Sequence, residues 1–281
     1  MNQMLPHTTS PHWYLEDKWL RLLEKWMAFE PIQHHPAGLE RLRHDLLHRL
    51  QALNFEVTVF ESAGVQPVII AQRPPLAGNH WLGMFGHYDV ETAGEGWEMP
   101  PFTPLRQNGR IFGRGLADNL GPLLLRLLTL EGFTQTPGLV WVLQGEEEIG
   151  SPWAHRLYPT LSLPPISIWL EETGYFEGDG TQRLLLRHSK PRVDAMVAGL
   201  ERLAANEGRQ LNRHDRYLNK AFGQDRCPCL TWLVGEIPYL AIGPNDTQSR
   251  IHAPQESLPL DTLDLSARQF RQVLEAVTTW V

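Results

Sequence analysis

The residues of this chain best suited to chemistry are histidines and carboxylates placed where predicted strands end. They occur within residues 86–90 (Gly-His-Tyr-Asp-Val), at Asp118, at Glu147 and Glu148, and at His252. Imidazole nitrogens and carboxylate oxygens are the donors that bind zinc in catalytic sites. Two zinc ions and a general base together can hydrolyse an amide bond. These residues therefore predict a dizinc hydrolytic site.

His87 and Asp89 form a His-x-Asp pair. A zinc-bound histidine needs its second ring N–H held, and a carboxylate two residues away can hold it. Asp118 lies in the glycine-containing loop 113–119, and its two oxygens could bridge two metal ions. The alternatives are a His-x-Asp turn without metal and a helix N-cap at Asp118.

Two groups of acidic residues follow predicted strands. Glu146, Glu147 and Glu148 are consecutive, and such carboxylates repel one another unless cations neutralise them. Neighbouring side chains on an extended segment point in opposite directions, so one could bind a metal while the next reaches the attacking water. Glu171 and Glu172 end the next strand, and one of them could complete the second metal position. Solvated acidic loops are the alternative in both places.

The elements that must position these residues alternate along the chain. Predicted helices cover residues 15–29, 37–53, 122–130 and 193–206. Predicted strands cover residues 55–60, 67–72, 81–85, 139–143, 166–170, 184–187 and 238–242. Such alternation predicts an α/β sheet with parallel segments, and ligands of these sheets bind beyond the carboxyl ends of the strands. The candidate ligands are therefore expected to meet at one edge.

The composition and net charge of the chain narrow the classes of function that it could have. The chain has 281 residues, a net charge of −7 and 42% hydrophobic residues, which disfavours nucleic acid or an acidic membrane surface as a partner. Residues 1–11 lack the pattern of a signal peptide, and no apolar run reaches the roughly 20 residues of a membrane span. Cys227 and Cys229 are too close in sequence for an unstrained disulfide, so we expect reduced thiols in a cytoplasmic protein.

Taken together, these stretches resemble a dizinc family that includes glutamate carboxypeptidase, succinyl-diaminopimelate desuccinylase, acetylornithine deacetylase, aminoacylase and carnosinase (peptidase family M20). The matching stretches occur in the family's order: residues 86–90, Trp97, 101–104, 109–115, Asp118, 147–151, 237–238, 243–244 and 252–256. The resemblance runs from about residue 15 to the C-terminus. It implies a three-layer α/β/α zinc-peptidase fold with a mostly parallel mixed sheet.

The resemblance also implies a ligand set of two imidazoles and three carboxylates: His87, Asp118, Glu148, Glu172 and His252. One zinc ion would bind His87 and Glu172, the other Glu148 and His252, and Asp118 would bridge them. Glu171 replaces Glu172 if the local pattern corresponds to the relatives' Glu-Pro-Thr rather than Glu-Ser-Gly.

Further roles follow from the same resemblance. Glu147 is implied as the general base for a hydroxide that bridges the metals, Asp89 would orient His87, and the peptide bond from Asp118 to Asn119 is expected to be cis. The implied cofactors are two Zn²⁺, with Co²⁺ or Mn²⁺ as substitutes. The implied substrates are small peptides or N-acyl amino acids.

The chain departs from the family in one respect. Only 80 positions separate Glu172 from His252, which is too short for the lid and dimerisation domain that relatives insert there. We therefore expect one catalytic domain over residues 1–281, with the deletion between about 188 and 225, and a monomer. Without a lid, the substrate would be bound by residues of the chain itself. The candidates are Asn245 and, near the deletion, Arg187, His188, Arg213, His214 and Arg216.

Three functions remain open at this point. The first is a two-zinc carboxypeptidase or deacylase with an open cleft, favoured because the candidate base Glu147 is present. The second is a lidless dizinc aminopeptidase, which would recognise a free amino terminus. The third is a non-catalytic zinc-binding scaffold, suggested by the missing lid.

Overall fold

The computed structural model describes residues 17–215 and 230–280. Its helices are α1 (Asp17–Met27), α2 (Pro36–Ala52), α3 (Gly121–Glu131), α4 (Ala154–Leu157), α5 (Pro191–Asn206), α6 (Leu230–Val234) and α7 (Leu263–Thr279). Two of the long helices, α2 and α5, begin at a proline, whose missing N–H would have no partner in a first turn. None of the described helices is both long enough and apolar enough to cross a bilayer.

Strands occupy thirteen segments of the described residues. They are β1 (Glu56–Phe60), β2 (Val68–Arg73), β3 (Trp81–His87), β4 (Leu105–Gln107), β5 (Arg110–Phe112), β6 (Gly138–Gln144), β7 (Ile166–Glu171), β8 (Tyr175–Phe176), β9 (Gln182–Arg187), β10 (Leu211–Asp215), β11 (Tyr239–Ala241), β12 (Asn245–Asp246) and β13 (Ser257–Pro259). Every residue of β6 is buried, as expected for a central strand covered on both faces.

Ten strands form one mixed sheet in the order β1-β2-β6-β3-β7-β11-β9-β8-β12, with β10 beside β9. The central pairs β6–β3, β3–β7 and β7–β11 are parallel, so their carboxyl ends share one edge. Strand β9 pairs antiparallel with β11 and therefore runs the other way. A second, three-stranded sheet joins β13, β5 and β4.

Helices cover both faces of the large sheet. One apolar core packs α1, α2, α3, α5 and α7 against it, including Trp19, Trp26 and Phe270. A second core lies under α4 and α6, with Leu157 and Leu230. This confirms the predicted three-layer α/β/α arrangement. The predicted elements match those observed to within two residues at most ends.

The described strands between residues 172 and 252 all belong to the large sheet. Helix α5 packs on α7 in the same outer layer. A single domain over residues 1–281 without a lid stays a prediction, since residues 216–229 lie outside the described part.

Candidate metal centre

Four of the predicted acidic and histidine residues lie at one edge of the sheet because the strands that precede or contain them are parallel neighbours. His87 is the last residue of β3, which lies between β6 and β7 in the sheet. Glu147 and Glu148 follow β6, and Glu172 follows β7. Carboxyl ends of adjacent parallel strands lie side by side, which is where ligands of such sheets bind. All four side chains are buried.

Asp118 lies between the two histidines. Its Oδ1 is 3.0 Å from Nε2 of His87, and its Oδ2 is 3.1 Å from Nε2 of His252. The same nitrogen of His252 is 2.9 Å from Oε2 of Glu148. The two oxygens of one carboxylate thus face two imidazoles, which is the arrangement expected of a bridging ligand.

The backbone around Asp118 is held in an unusual shape. The peptide bond from Asp118 to Asn119 is cis, as the resemblance implied. Gly115, at the start of this loop, has a φ of 75°, and a Cβ there would lie 2.2 Å from the side chain of Val90. Only glycine satisfies both conditions, so the loop sequence is tied to this geometry.

Glu256 anchors the same loop and was not singled out by sequence reasoning. Its buried carboxylate accepts hydrogen bonds from the backbone N–H groups of Gly115, Ala117 and Asp118, at 3.0, 2.8 and 3.1 Å. The Arg114 guanidinium donates to it at 2.7 Å. A buried carboxylate with this many donors fixes the loop rigidly, and the Asp118 carboxylate with it.

Asp89 contacts both His87 and the turn that carries Glu147 and Glu148. Its carboxylate accepts hydrogen bonds from the backbone N–H groups of Glu147 and Glu148, at 3.1 and 3.0 Å, and from Gln33 at 3.1 Å. Nδ1 of His87 lies 2.9 Å from the backbone oxygen of Asp89 and 3.4 Å from its carboxylate. The closer partner of the imidazole is thus the main chain, while the carboxylate orders the glutamate turn.

The electrostatics of the cluster indicate an excess of negative charge. Burial raises the pKa of Glu147 to about 8, and the carboxylates of Asp118 and Glu148 add to the rise. Burial lowers the pKa of His252, but its contacts with Asp118 and Glu148 outweigh this and raise that pKa to about 10. The pKa of His87 is also raised well above its usual value, because contacts with Asp118 and Asp89 outweigh burial. Bound cations would neutralise such a cluster, so the donor set fits metal ions.

Glu172 and Glu171 differ in their partners. Glu172 accepts hydrogen bonds from Asn119 at 2.8 Å and from the Arg126 guanidinium at 3.1 Å. Glu171 instead accepts the backbone N–H of Thr173 at 3.0 Å. The structure therefore brings Glu172, rather than Glu171, against the loop that carries Asp118. Arg126 was missed by sequence reasoning because it lies within a leucine-rich helix.

Among the described residues, two groups place donor atoms within 4.8 Å of one another. One is His87 with Glu147 and Glu148, and the other is Glu148 and His252 with Glu91. Glu91 was not among the predicted ligands. Glu172 belongs to neither group, so its carboxylate lies outside the tightest clusters of donors.

Comparison with known proteins agrees with this geometry. Residues 83–200 match the peptidase family M20/M25/M40. This segment of the chain is therefore similar to that family.

Two curated relatives and one solved structure illustrate the match. The Beta-Ala-His dipeptidase of Homo sapiens is 26% identical over 158 residues, which are 48% of this chain and 31% of the relative. The Beta-Ala-Xaa dipeptidase of Lactobacillus delbrueckii subsp. lactis is 44% identical over 78 residues, 26% of this chain and 17% of the relative. The chain thus spans less than a third of the length of these relatives.

The M20 family metallo-carboxypeptidase Sso-CP2 from Sulfolobus solfataricus superposes with a TM-score of 0.74 at 13% identity. The alignment covers 94% of this chain and all of that one. It shows the zinc-peptidase fold predicted from the sequence.

A cleft of about 420 Å³ adjoins the candidate metal centre. Its walls are Ala117, Asp118, Glu172, Thr173, Tyr175, Asn245, Asp246, Thr247, Ser249, Arg250 and Ile251. Asn245, a predicted substrate residue, is buried and donates to the backbone oxygen of Ala117 at 3.1 Å. Within the described part of the chain, nothing donates to its Oδ1, which is free to accept an N–H group.

Arg187, another predicted substrate residue, does not line the cleft. It ends β9 opposite Tyr239, the first residue of β11, because the two strands are antiparallel. It therefore lies towards the amino edge of the central strands and donates to His188 at 2.7 Å, while His188 faces Glu236. The structure gives Arg187 and His188 no place in the cleft, in contrast to their prediction as substrate residues.

The other predicted residues near the deletion also lie elsewhere. Arg213 forms ion pairs with Asp194 and Glu201 of α5. His214 lies 3.3 Å from the guanidinium of Arg183. Arg216, Cys227 and Cys229 lie outside the described residues.

Proposed function

We propose that this M20 chain is a zinc-dependent hydrolase that cleaves a peptide or N-acyl amide bond, of carboxypeptidase or deacylase type. The observation that carries the proposal is the Asp118 carboxylate, whose two oxygens each face one imidazole, beside the buried carboxylate of Glu147. A scaffold that bound zinc only for stability would need the ligands but not this extra carboxylate.

The proposed cofactors are two Zn²⁺ ions, with Co²⁺ or Mn²⁺ as substitutes. His87 and Glu172 would hold one ion, Glu148 and His252 the other, with Asp118 shared. When bound, such ions polarise a carbonyl and lower the pKa of water, which supplies a nucleophile near neutral pH.

Glu147 is the proposed general base. It would take the proton of the attacking water on its carboxylate and pass it to the leaving nitrogen. Burial raises the pKa of Glu147 and nearby cations would lower it, and these opposing effects suit a carboxylate that accepts and then returns a proton. Asp89 would hold the Glu147 backbone in place through the hydrogen bond to its N–H group.

The cleft suggests how the substrate is oriented. Arg250 is the one cation among the described residues that line it, and its side chain is exposed. The acidic neighbour Asp246 is already neutralised by both terminal nitrogens of Arg110, at 2.6 and 2.9 Å. A substrate carboxylate would therefore pair with Arg250, while Asn245 would accept a substrate N–H group. Small peptides or N-acyl amino acids fit these features.

The test is zinc-dependent hydrolysis of a panel of dipeptides, N-acyl amino acids and aminoacyl amides. We expect turnover of substrates with a free carboxylate, and Glu147→Gln should lower kcat by about 10²–10⁴-fold with zinc retained. Glu95→Gln, an exposed glutamate, is the matched control and should leave kcat unchanged.

Two results would contradict the proposal. Turnover restricted to substrates with a free amino terminus would favour a lidless aminopeptidase. Zinc bound by the parent protein without any turnover would favour a scaffold. We further propose a cytoplasmic monomer that binds neither nucleic acid nor membrane, and sedimentation of the purified chain tests its oligomeric state.

A further inference from the structure

The two sides of the metal centre differ in the hydrogen-bond partners of their carboxylates. We call Glu148 with His252 the His252 side, and His87 with Glu172 the Glu172 side; Asp118 is common to both. On the His252 side, Oε2 of Glu148 is 2.9 Å from the imidazole nitrogen of its fellow ligand. The two ligands are in hydrogen-bond contact with each other, and a bound ion would take the place of the proton between them.

On the Glu172 side, the carboxylate is held by two other groups. Asn119 donates to its Oε1 at 2.8 Å, and the Arg126 guanidinium donates to its Oε2 at 3.1 Å. Arg126 is itself buried, 6% exposed, and its other described contacts are the Phe85 backbone oxygen at 3.4 Å and the Phe270 ring. A buried charge-assisted hydrogen bond is strong, because both partners are shielded from bulk solvent.

A metal ion on the Glu172 side must compete with the guanidinium for Glu172, or share that carboxylate with a fixed positive charge nearby. Either way the buried cation opposes the second ion.

We propose that Arg126 makes the two metal positions of this chain unequal, so that one zinc binds tightly on the His252 side and the other weakly on the Glu172 side. The inference rests on the metal centre of the proposed function, but it concerns binding rather than turnover. Arg126 acts on the metal only through Glu172, and it is not a ligand.

The experiment is calorimetric titration of the metal-free full chain with zinc, with bound metal counted by elemental analysis. The parent should show two classes of site whose Kd values differ by at least about tenfold, the ratio that 1.4 kcal/mol represents. Arg126→Met removes the charge at similar length, and it should tighten the weak class about tenfold or more while leaving the tight class unchanged. Arg126→Lys keeps the charge and should leave the weak class weak.

Adding Glu172→Gln to Arg126→Met should cancel the gain, because the ligand that Arg126 restrains is then absent. Equal affinities for the two ions in the parent would overturn the inference, as would an unchanged weak class in Arg126→Met. If Arg126→Met does not fold, the parent isotherm and the Arg126→Lys isotherm still decide the matter.

The zinc titration and the turnover assay can fail independently, so they test the inference and the proposed function separately. Two unequal zinc classes without turnover would uphold the inference and contradict catalysis. Turnover with two equal zinc classes would do the reverse. Absence of any zinc binding would overturn both.

Discussion

The His252 side and the Glu172 side of the metal centre contain similar residues, but different groups hold their carboxylates. Each offers one imidazole and one carboxylate next to Asp118. The carboxylate of the His252 side faces its imidazole, whereas that of the Glu172 side is held by Arg126 and Asn119. A ligand set identified by residue type alone is therefore incomplete, because a buried cation behind one ligand changes what that ligand can bind.

The largest expected effects come from the two histidines, which are matched in type but lie on opposite sides. His252→Ala should remove the tight zinc class, with Kd raised more than about 100-fold, since even outer partners of a ligand are worth 10–100-fold. His87→Ala should remove the weak class and leave the tight class in place. Zinc titration of each variant, with kcat measured at saturating zinc, checks this. Loss of the tight class in His87→Ala would mean that the two sides are not separate positions.

Much of this centre could be predicted from the sequence, because the ligands stand at the ends of strongly apolar strands. Strand β6 is buried throughout and strand β3 nearly so, and parallel neighbours must bring His87 and Glu148 to one edge. The direction of β9 could not be read in this way. An isolated strand has no sequence signal for parallel or antiparallel pairing, so the position of Arg187 towards the amino edge of the central strands could not be predicted.

Long-range partners account for the other residues that sequence reasoning missed. Arg126 meets Glu172 from 46 residues away, and Glu256 meets the Asp118 loop from about 140 residues away. A charge inside an apolar helix signals only that a partner exists. Which carboxylate meets it depends on how helix and sheet pack together.

Glu256 offers a way to disturb both sides at once. Glu256→Gln leaves Arg114 buried without its charged partner, and breaking a buried pair costs about 3–5 kcal/mol in the free energy of unfolding. Because Glu256 positions Asp118, which both sides share, both zinc classes should weaken by a similar factor, about 10–100-fold. Urea unfolding and zinc titration measure the two effects.

The control for Glu256 is Asp261→Asn, which breaks the ion pair of Asp261 with Arg209. Asp261 is 70% exposed, so this substitution should change the unfolding free energy by about 1 kcal/mol or less and leave zinc binding intact. A loss confined to one zinc class in Glu256→Gln would show that Asp118 is not shared equally.

The smallest effect concerns Arg250, which borders the cleft on the Glu172 side. Arg250→Gln should raise KM for substrates with a free carboxylate by up to about fivefold, because exposed ion pairs are worth about 1 kcal/mol or less. KM for the matching amides should not change, since they lack the charge. Arg106→Gln, at an exposed arginine of β4, is the control and should alter neither value.

Both zinc classes should be preserved in Arg250→Gln, because its charge lies beyond the ligands. A change in the weak class would mean that Arg250, and not Arg126 alone, weakens metal binding on the Glu172 side.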